Sequence, residues 1–280
     1  MKKRIKILKV IIVTLCFSTI GAMSCKEAKT ESLQTIESKD VAINTNVVIE
    51  KPNKTIFTDF IYEIGPRFSP IKKSDIEKAT SIATFFDEKQ LQAIESLNTI
   101  SVIFIINDEQ SDIRATGTSE QLNKAQLNLL KSAGYSTHFL IRADYKMKNE
   151  ETGELEDSYS TPHLTIVPEK QAEYLDDSQQ LINRDGKMAL KEYLKNHSLE
   201  ARTKANVDAE KLKPAKLYFT VSKTGIIENV RLDRSSNYPI VDDAMIELIK
   251  NAPGEWLPAE NIDGEKVDQE LVVSVGLMGC

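Results

Sequence analysis

The chain is short of the residues that most often carry chemistry. It has three histidines, three cysteines and one tryptophan. The cysteines leave no disulfide framework: Cys16 sits in an apolar leader, Cys25 follows it, and Cys280 ends the sequence as an expected free thiol. The histidines, His138, His163 and His197, show no metal-ligand spacing of the H-E-x-x-H kind. No G-x-S-x-G, P-loop or G-x-G-x-x-G occurs. No catalytic residue, metal site or cofactor is therefore expected. A basic surface is missing too. The formal net charge is −6, and Lys2, Lys3, Arg4, Lys6 and Lys9 all precede the first acid, Glu27. Losing the leader would make the chain more acidic still. That excludes a nucleic-acid partner, because phosphate binding needs a basic face.

What is present begins with "MKKRIKILKVIIVTLCFSTIGAMSCK". A basic start runs into an apolar stretch from Val10 to about Met23, short of the ~20 residues a spanning helix needs. It reads as a secretory signal over residues 1–24. Gly21, Ala22 and Ser24 before Cys25 resemble a lipobox, the cleavage site of bacterial lipoproteins, which makes Cys25 the expected lipidation site, carrying a palmitate-type chain. The alternatives are an uncleaved anchor or an ordinary secretory signal with a chance cysteine. Residues 25–54 contain no aromatics and few large apolar side chains, so they read as a flexible tether spanning roughly 30 Å root-mean-square. The expected location is the periplasmic side of a bacterial envelope, with the outer membrane favoured over the inner.

The rest is 41% hydrophobic and 28% charged over the whole chain, enough for packed cores. The expected class is α+β, small antiparallel sheets packed with helices, in two domains over 55–175 and 185–280. In the first, "TIFTDFIYEI" and "TISVIFIIND" read as strands. Ser74 with Glu77 and Asp87 with Gln90 read as capping boxes. Leu122, Ala125, Leu129 and Leu130 form a helical face, and Phe139, Ile141, Ala143, Tyr145 and Met147 alternate as in a strand. Pro162 marks the first half of "SYSTPHLTIVP" as an edge.

In the second domain, Leu190, Tyr193, Leu194, His197 and Ala201 form a helical stripe. "AKLYFTV" and "IIENVRLD" read as a hairpin turning at Gly225, with Val230 and Leu232 inward. Val241, Ala244, Met245, Leu248 and Ile249 follow helical spacing after Pro239. Leu271, Val273, Val275 and Leu277 alternate in a last strand. Trp256 is expected to cover the end of this core, Pro258 to end the turn, and Asp263-Gly264 to reverse the chain.

Those last elements, "LYFTVSKTGIIENVRLDRSS", "VDDAMIELIKNAP", "WLPA" and "DGEKVDQELVVSVGL", with "ALKEYL" ahead of them, resemble the TonB C-terminal domain family over about residues 187–278. The resemblance implies a protein-binding module that takes an extended segment of an outer-membrane receptor by strand addition. It makes Glu270, Val272 and Ser274 on the final strand the candidate partner-binding edge, with a strand paired centrally in its sheet or in a homodimer as the equal alternative. The expected partners are envelope proteins and the membrane itself, through the lipid. An energy transducer with an uncleaved anchor is the second reading. An envelope enzyme using His138 and His163, with Asp144 or Glu156, is the third. "LNLLKSAG" also parallels "IELIKNAP", "FLIRA" parallels "WLPA", and "TGELEDSYSTPHLTIV" parallels "DGEKVDQELVVSV". The first domain is thus a candidate degenerate repeat of the second.

Overall fold

A computed structural model describes residues 60–175 and 186–276. The signal at 1–24, Cys25, the tether, the link at 176–185, Leu277 and Cys280 lie outside the described residues. The fold is α+β, with two principal sheets. Among the described residues no helix is long and apolar enough to cross a membrane.

The N-terminal lobe is built on strands β2 (Ser69–Lys72), β3 (Ser96–Ile106), β4 (Glu109–Gly117), β5 (His138–Lys148), β6 (Leu155–Ser160) and β7 (His163–Val167), after β1 (Ile61–Gly65). Their order is β2-β7-β5-β3-β4, with β6 also on β5. Helices α1 (Lys73–Lys78), α2 (Glu88–Gln92) and α3 (Lys124–Ser132), with a 3₁₀ turn at Ile82–Thr84, cover one face. The alternation along β5 works as expected: Phe139, Ile141, Ala143 and Tyr145 all join this core. Asp87 and Gln90 form a capping box at α2. Ser74 does not cap; it lies inside α1, and its amide donates to the Glu169 carboxylate instead. At α3 the cap is Asn123 with Gln126, and Ala125 is exposed. Gln126 is fully buried because its amide also donates to the Ile100 carbonyl at 3.0 Å. A strong helical former at 125 thus faces water, and a polar residue with satisfied bonds faces the core.

The C-terminal lobe holds β8 (Glu173–Leu175), α4 (Gly186–His197), α5 (Leu199–Lys204), β9 (Ala215–Val221), β10 (Ile227–Arg234), α6 (Pro239–Lys250), β11 (Glu255–Leu257), β12 (Ala259–Glu260), β13 (Lys266–Val267) and β14 (Gln269–Gly276). The stripe expected to be one helix breaks at Ser198 into α4 and α5; Ser198 is buried and hydrogen-bonded to Tyr62 Oη at 2.7 Å. Val241, Met245 and Ile249 of α6 are buried against Leu217, Phe219, Val273 and Val275. Leu232 is 37% exposed rather than inward. The pairing of β10 with β9 shifts register twice, first around Asn229 at φ 54°, and a shift of one residue turns a strand's alternation over.

The main sheet order is β1-β14-β9-β10. Ile61–Gly65 therefore belongs to the C-terminal sheet, antiparallel to β14 from Ile61 opposite Gly276 to Gly65 opposite Val272. The boundary expected at residue 55 is corrected accordingly. Phe60, Tyr62 and Ile64 put their side chains into the C-terminal core, and that burial places the segment there. A second stitch joins β8 to β11, with Tyr174 opposite Trp256.

The alignment proposed for a repeat fails at its last piece, since β7 pairs with β5 and β2 rather than with β3. The topology nevertheless recurs with β5 as the counterpart of β14. Each lobe runs hairpin, helix and a returning strand antiparallel to the hairpin's first strand: β3-β4-α3-β5 and β9-β10-α6-β14.

Trp256 is 7% exposed, with Tyr174 and Phe219 ring centroids each at 5.4 Å. Pro258 separates β11 from β12, and Gly264 (φ 80°) lies in the five-residue loop joining β12 to β13. Gly225 sits at φ 81°, and a Cβ there would come 2.4 Å from the Trp256 carbonyl oxygen. Gly225→Ala is expected to lower unfolding free energy by about 1–3 kcal/mol, measured by urea denaturation. Gly264→Ala, equally left-handed but with open space around it, serves as the milder control.

Candidate functional site

The lobes meet at a cleft of about 480 Å³ whose walls include Arg67, Asp108, His138, Tyr218, Arg231 and Glu270. Arg67 lies two residues past the end of β1 in the crossing to β2, so the chain delivers it to the junction. Its side chain is 5% exposed and forms ion pairs with Asp108 of the first lobe and, at 3.6 Å, with Asp233 of the second. Its guanidinium lies over Phe68 at 5.1 Å and Tyr218 at 5.4 Å. Planar, weakly hydrated arginine suits such a stack better than lysine. Burial pulls its pKa below the usual value, against the opposing pull of Asp233.

Asp108 is held in place by an unusual turn. Asn107 and Asp108 join β3 to β4 with φ of 51° and 68°. The sequence offers no glycine there, but Asn and Asp tolerate the left-handed region.

Glu270 is the second tie. Its backbone amide donates to Ser136 Oγ at 2.9 Å, and its carboxylate accepts from Arg231 Nη2 at 2.7 Å and faces His138 Nε2 at 3.7 Å. Burial raises the Glu270 carboxyl, but His138 and Arg231 more than offset this and hold it below the usual carboxylate range.

This overturns the expected edge. β14 has β1 on one side and β9 on the other, so Val272 and Ser274 lie in paired strand, and Val272 is buried. At Glu270, beyond the end of β1, the first lobe takes the amide. The final strand's backbone groups are used within the chain itself, which removes the basis for strand addition there.

The histidines do not assemble as a site either. His138 and His163 are both placed against β5–β7 pairing, but Phe68 packs on each, with centroids at 5.6 and 5.3 Å. His138 Nδ1 bonds Thr165 Oγ1 at 3.0 Å, and His163 Nδ1 bonds the Thr161 carbonyl at 2.8 Å. Asp144 is occupied by Arg142 and Thr99, and Glu156 by Asn149. Among the described residues no cluster of three or more metal-ligating side chains forms. Ser136, His138 and Glu270 match a hydrolytic triad in composition but not in geometry. Both ring nitrogens of His138 are directed at Thr165 and Glu270, and Ser136 accepts from a backbone amide. The contacts of the cluster cross between the two lobes.

Arg67, Asp108, Ser136 and Asp233 carried no sequence signal beyond residue type, because their partners lie far away in the chain. Arg67→Ala is expected to cost about 2–4 kcal/mol, the lower end of breaking a buried pair because both acids keep some solvent. Urea unfolding and faster limited proteolysis between the lobes would register it. The pH dependence has a definite sign. Glu270 titrates lower in the folded state, so its contribution is complete above its ordinary value of ~4.3 and disappears as pH falls through the lowered value. The urea midpoint should drop between pH 5 and 3, and Glu270→Gln should flatten that part of the drop.

Comparison of the chain with protein-family models, curated proteins and solved structures gave no match, so function is argued from residues and geometry.

Proposed function

We propose that the chain is an envelope lipoprotein acting as an adaptor, which holds a two-lobed protein-binding body at a membrane surface. The observation that carries this is the stitching of β1 onto β14. The segment that follows the expected tether is built into the C-terminal sheet, so a chain anchored at Cys25 would enter the folded body at that sheet. The leader and Cys25 support the anchor. The hairpin, crossing helix and returning strand of the C-terminal lobe, preceded by α4 and α5, support kinship with TonB-type binding modules.

A receptor segment would not displace β1 easily. Phe60, Tyr62 and Ile64 are 3%, 4% and 7% exposed, and burying such side chains stabilises by roughly 1.5–3 kcal/mol each. A foreign strand would have to replace all of that as well as the backbone pairing. The adaptor therefore takes partners on surfaces other than β14.

Cys25→Ser is expected to abolish incorporation of a palmitate analogue and to release the protein from the membrane fraction. An intact leader with Cys25 unmodified, seen by mass spectrometry of the native protein, would overturn the adaptor reading and favour a transducer with an uncleaved anchor.

A further inference from the structure

Register sets a row of side chains across the outer face of the C-terminal sheet, the face opposite α6. Glu63 of β1 lies opposite Ser274 of β14, Ser274 opposite Lys216 of β9, and Lys216 opposite Arg234 of β10. Residues directly opposite in an antiparallel pair share a face, and like charges so placed repel. Lys216 and Arg234 are such a pair. Arg67 adds a third cation, stacked on Tyr218 in the next row along.

The charges here do not balance. Arg67 engages Asp108 and Asp233, and Arg234 reaches only Asp108, at 4.0 Å. Arg231 is paired with Glu270 at 2.7 Å, and Glu63 with Lys191 at 2.8 Å. Glu228 lies opposite Thr220, four residues along β9 from Lys216 and roughly 13 Å away. The groups that act on Lys216 are Arg67, Arg234, Asp108 and Asp233, three positive charges with its own against two negative. Among the described residues the Lys216 ammonium has no hydrogen bond or ion pair, and the Ser274 hydroxyl has no hydrogen bond. Burial pulls the Lys216 pKa below its usual value, and Arg67 and Arg234 act the same way, against Asp108 and Asp233. A half-buried cation facing another cation calls for an anion.

We propose that Lys216, Arg234 and Ser274 form a binding site for a singly charged phosphodiester group. One negative charge cancels the excess of one. The two charged oxygens would meet the ammonium and the guanidinium, whose fork suits them, and an ester oxygen would accept from the Ser274 hydroxyl. A carboxylate has no third oxygen for Ser274. A single excess charge does not suit the run of phosphates along a nucleic acid. Lipid headgroups and soluble diesters both carry the group. The row lies near the point where a chain anchored at Cys25 would enter the sheet: Ile61 precedes Glu63 by two residues, about 7 Å. That last step alone rests on the adaptor reading.

The test uses the full-length protein in a non-ionic detergent and follows acetylation of Lys216 by N-hydroxysuccinimidyl acetate, using mass spectrometry. Dimethyl phosphate should slow it at least about threefold and leave Lys124, an exposed lysine on α3, unaffected. Sodium acetate at equal ionic strength should protect neither. Arg234→Gln and Ser274→Ala should each weaken protection and leave the melting temperature within a few degrees of wild type. Short-chain phosphatidylglycerol in the micelles separates the sources. Protection at a much lower phosphate concentration than dimethyl phosphate assigns the site to headgroups, and protection at the same concentration assigns it to soluble diesters. No protection by either diester, equal protection by acetate, or full protection in both variants would overturn the proposal. So would a Lys216 inert to the reagent in the free protein, because its amine would already be engaged. An unmodified Cys25 would remove the adaptor reading, while protection by dimethyl phosphate would keep the site.

Discussion

The pairing of Ile61–Gly65 with Val272–Gly276 is the constraint on which the molecule depends. It joins segments about two hundred residues apart and fixes three things together. The C-terminal sheet gains its outer strand. β14 becomes an interior strand. Arg67, two residues past Gly65, is delivered between Phe68 and Tyr218, where it can bond an acid from each lobe. The loop-closure entropy of such a long connection is modest, because it grows only with the logarithm of length. Three buried apolar side chains outweigh it.

From that point the two lobes act as one body. Glu270 takes Ser136, His138 and Arg231 together, while within the C-terminal lobe Ala172 donates to Gln269 at 2.7 Å and Tyr174 faces Trp256 across β8 and β11. The Glu270 contacts are polar and partly solvated, so each contributes little alone, whereas Ala172, Gln269, Tyr174 and Trp256 are buried. Their joint effect is registry. Ser136, His138 and Glu270 line the cleft in contacts that join the two lobes.

Local features were legible in the sequence and long-range ones were not. The stripe Val241, Met245 and Ile249, the alternation from Phe139 to Tyr145, the capping box at Asp87 and the turn at Gly225 all depend on neighbours within a few residues, and periodicity reports such neighbours directly. Leu232 was misread because one residue at positive φ, Asn229, inverted the phase of β10. Ala125 was misread because Gln126 could satisfy its amide inside the core. The role of "IYEIG" was out of reach, since an amphipathic strand states which face is buried but not which sheet will bury it. Glu270 followed the same logic in reverse. It looked like an edge residue because its neighbour β1 was assigned to another domain.

The most direct test is amide hydrogen exchange of the full-length protein, resolved along β14 and β9. Leu271–Val275 should exchange only through global unfolding. Fast exchange along β14 beside slow exchange in β9 would mean that β1 is only loosely held and that the final strand is an open edge after all.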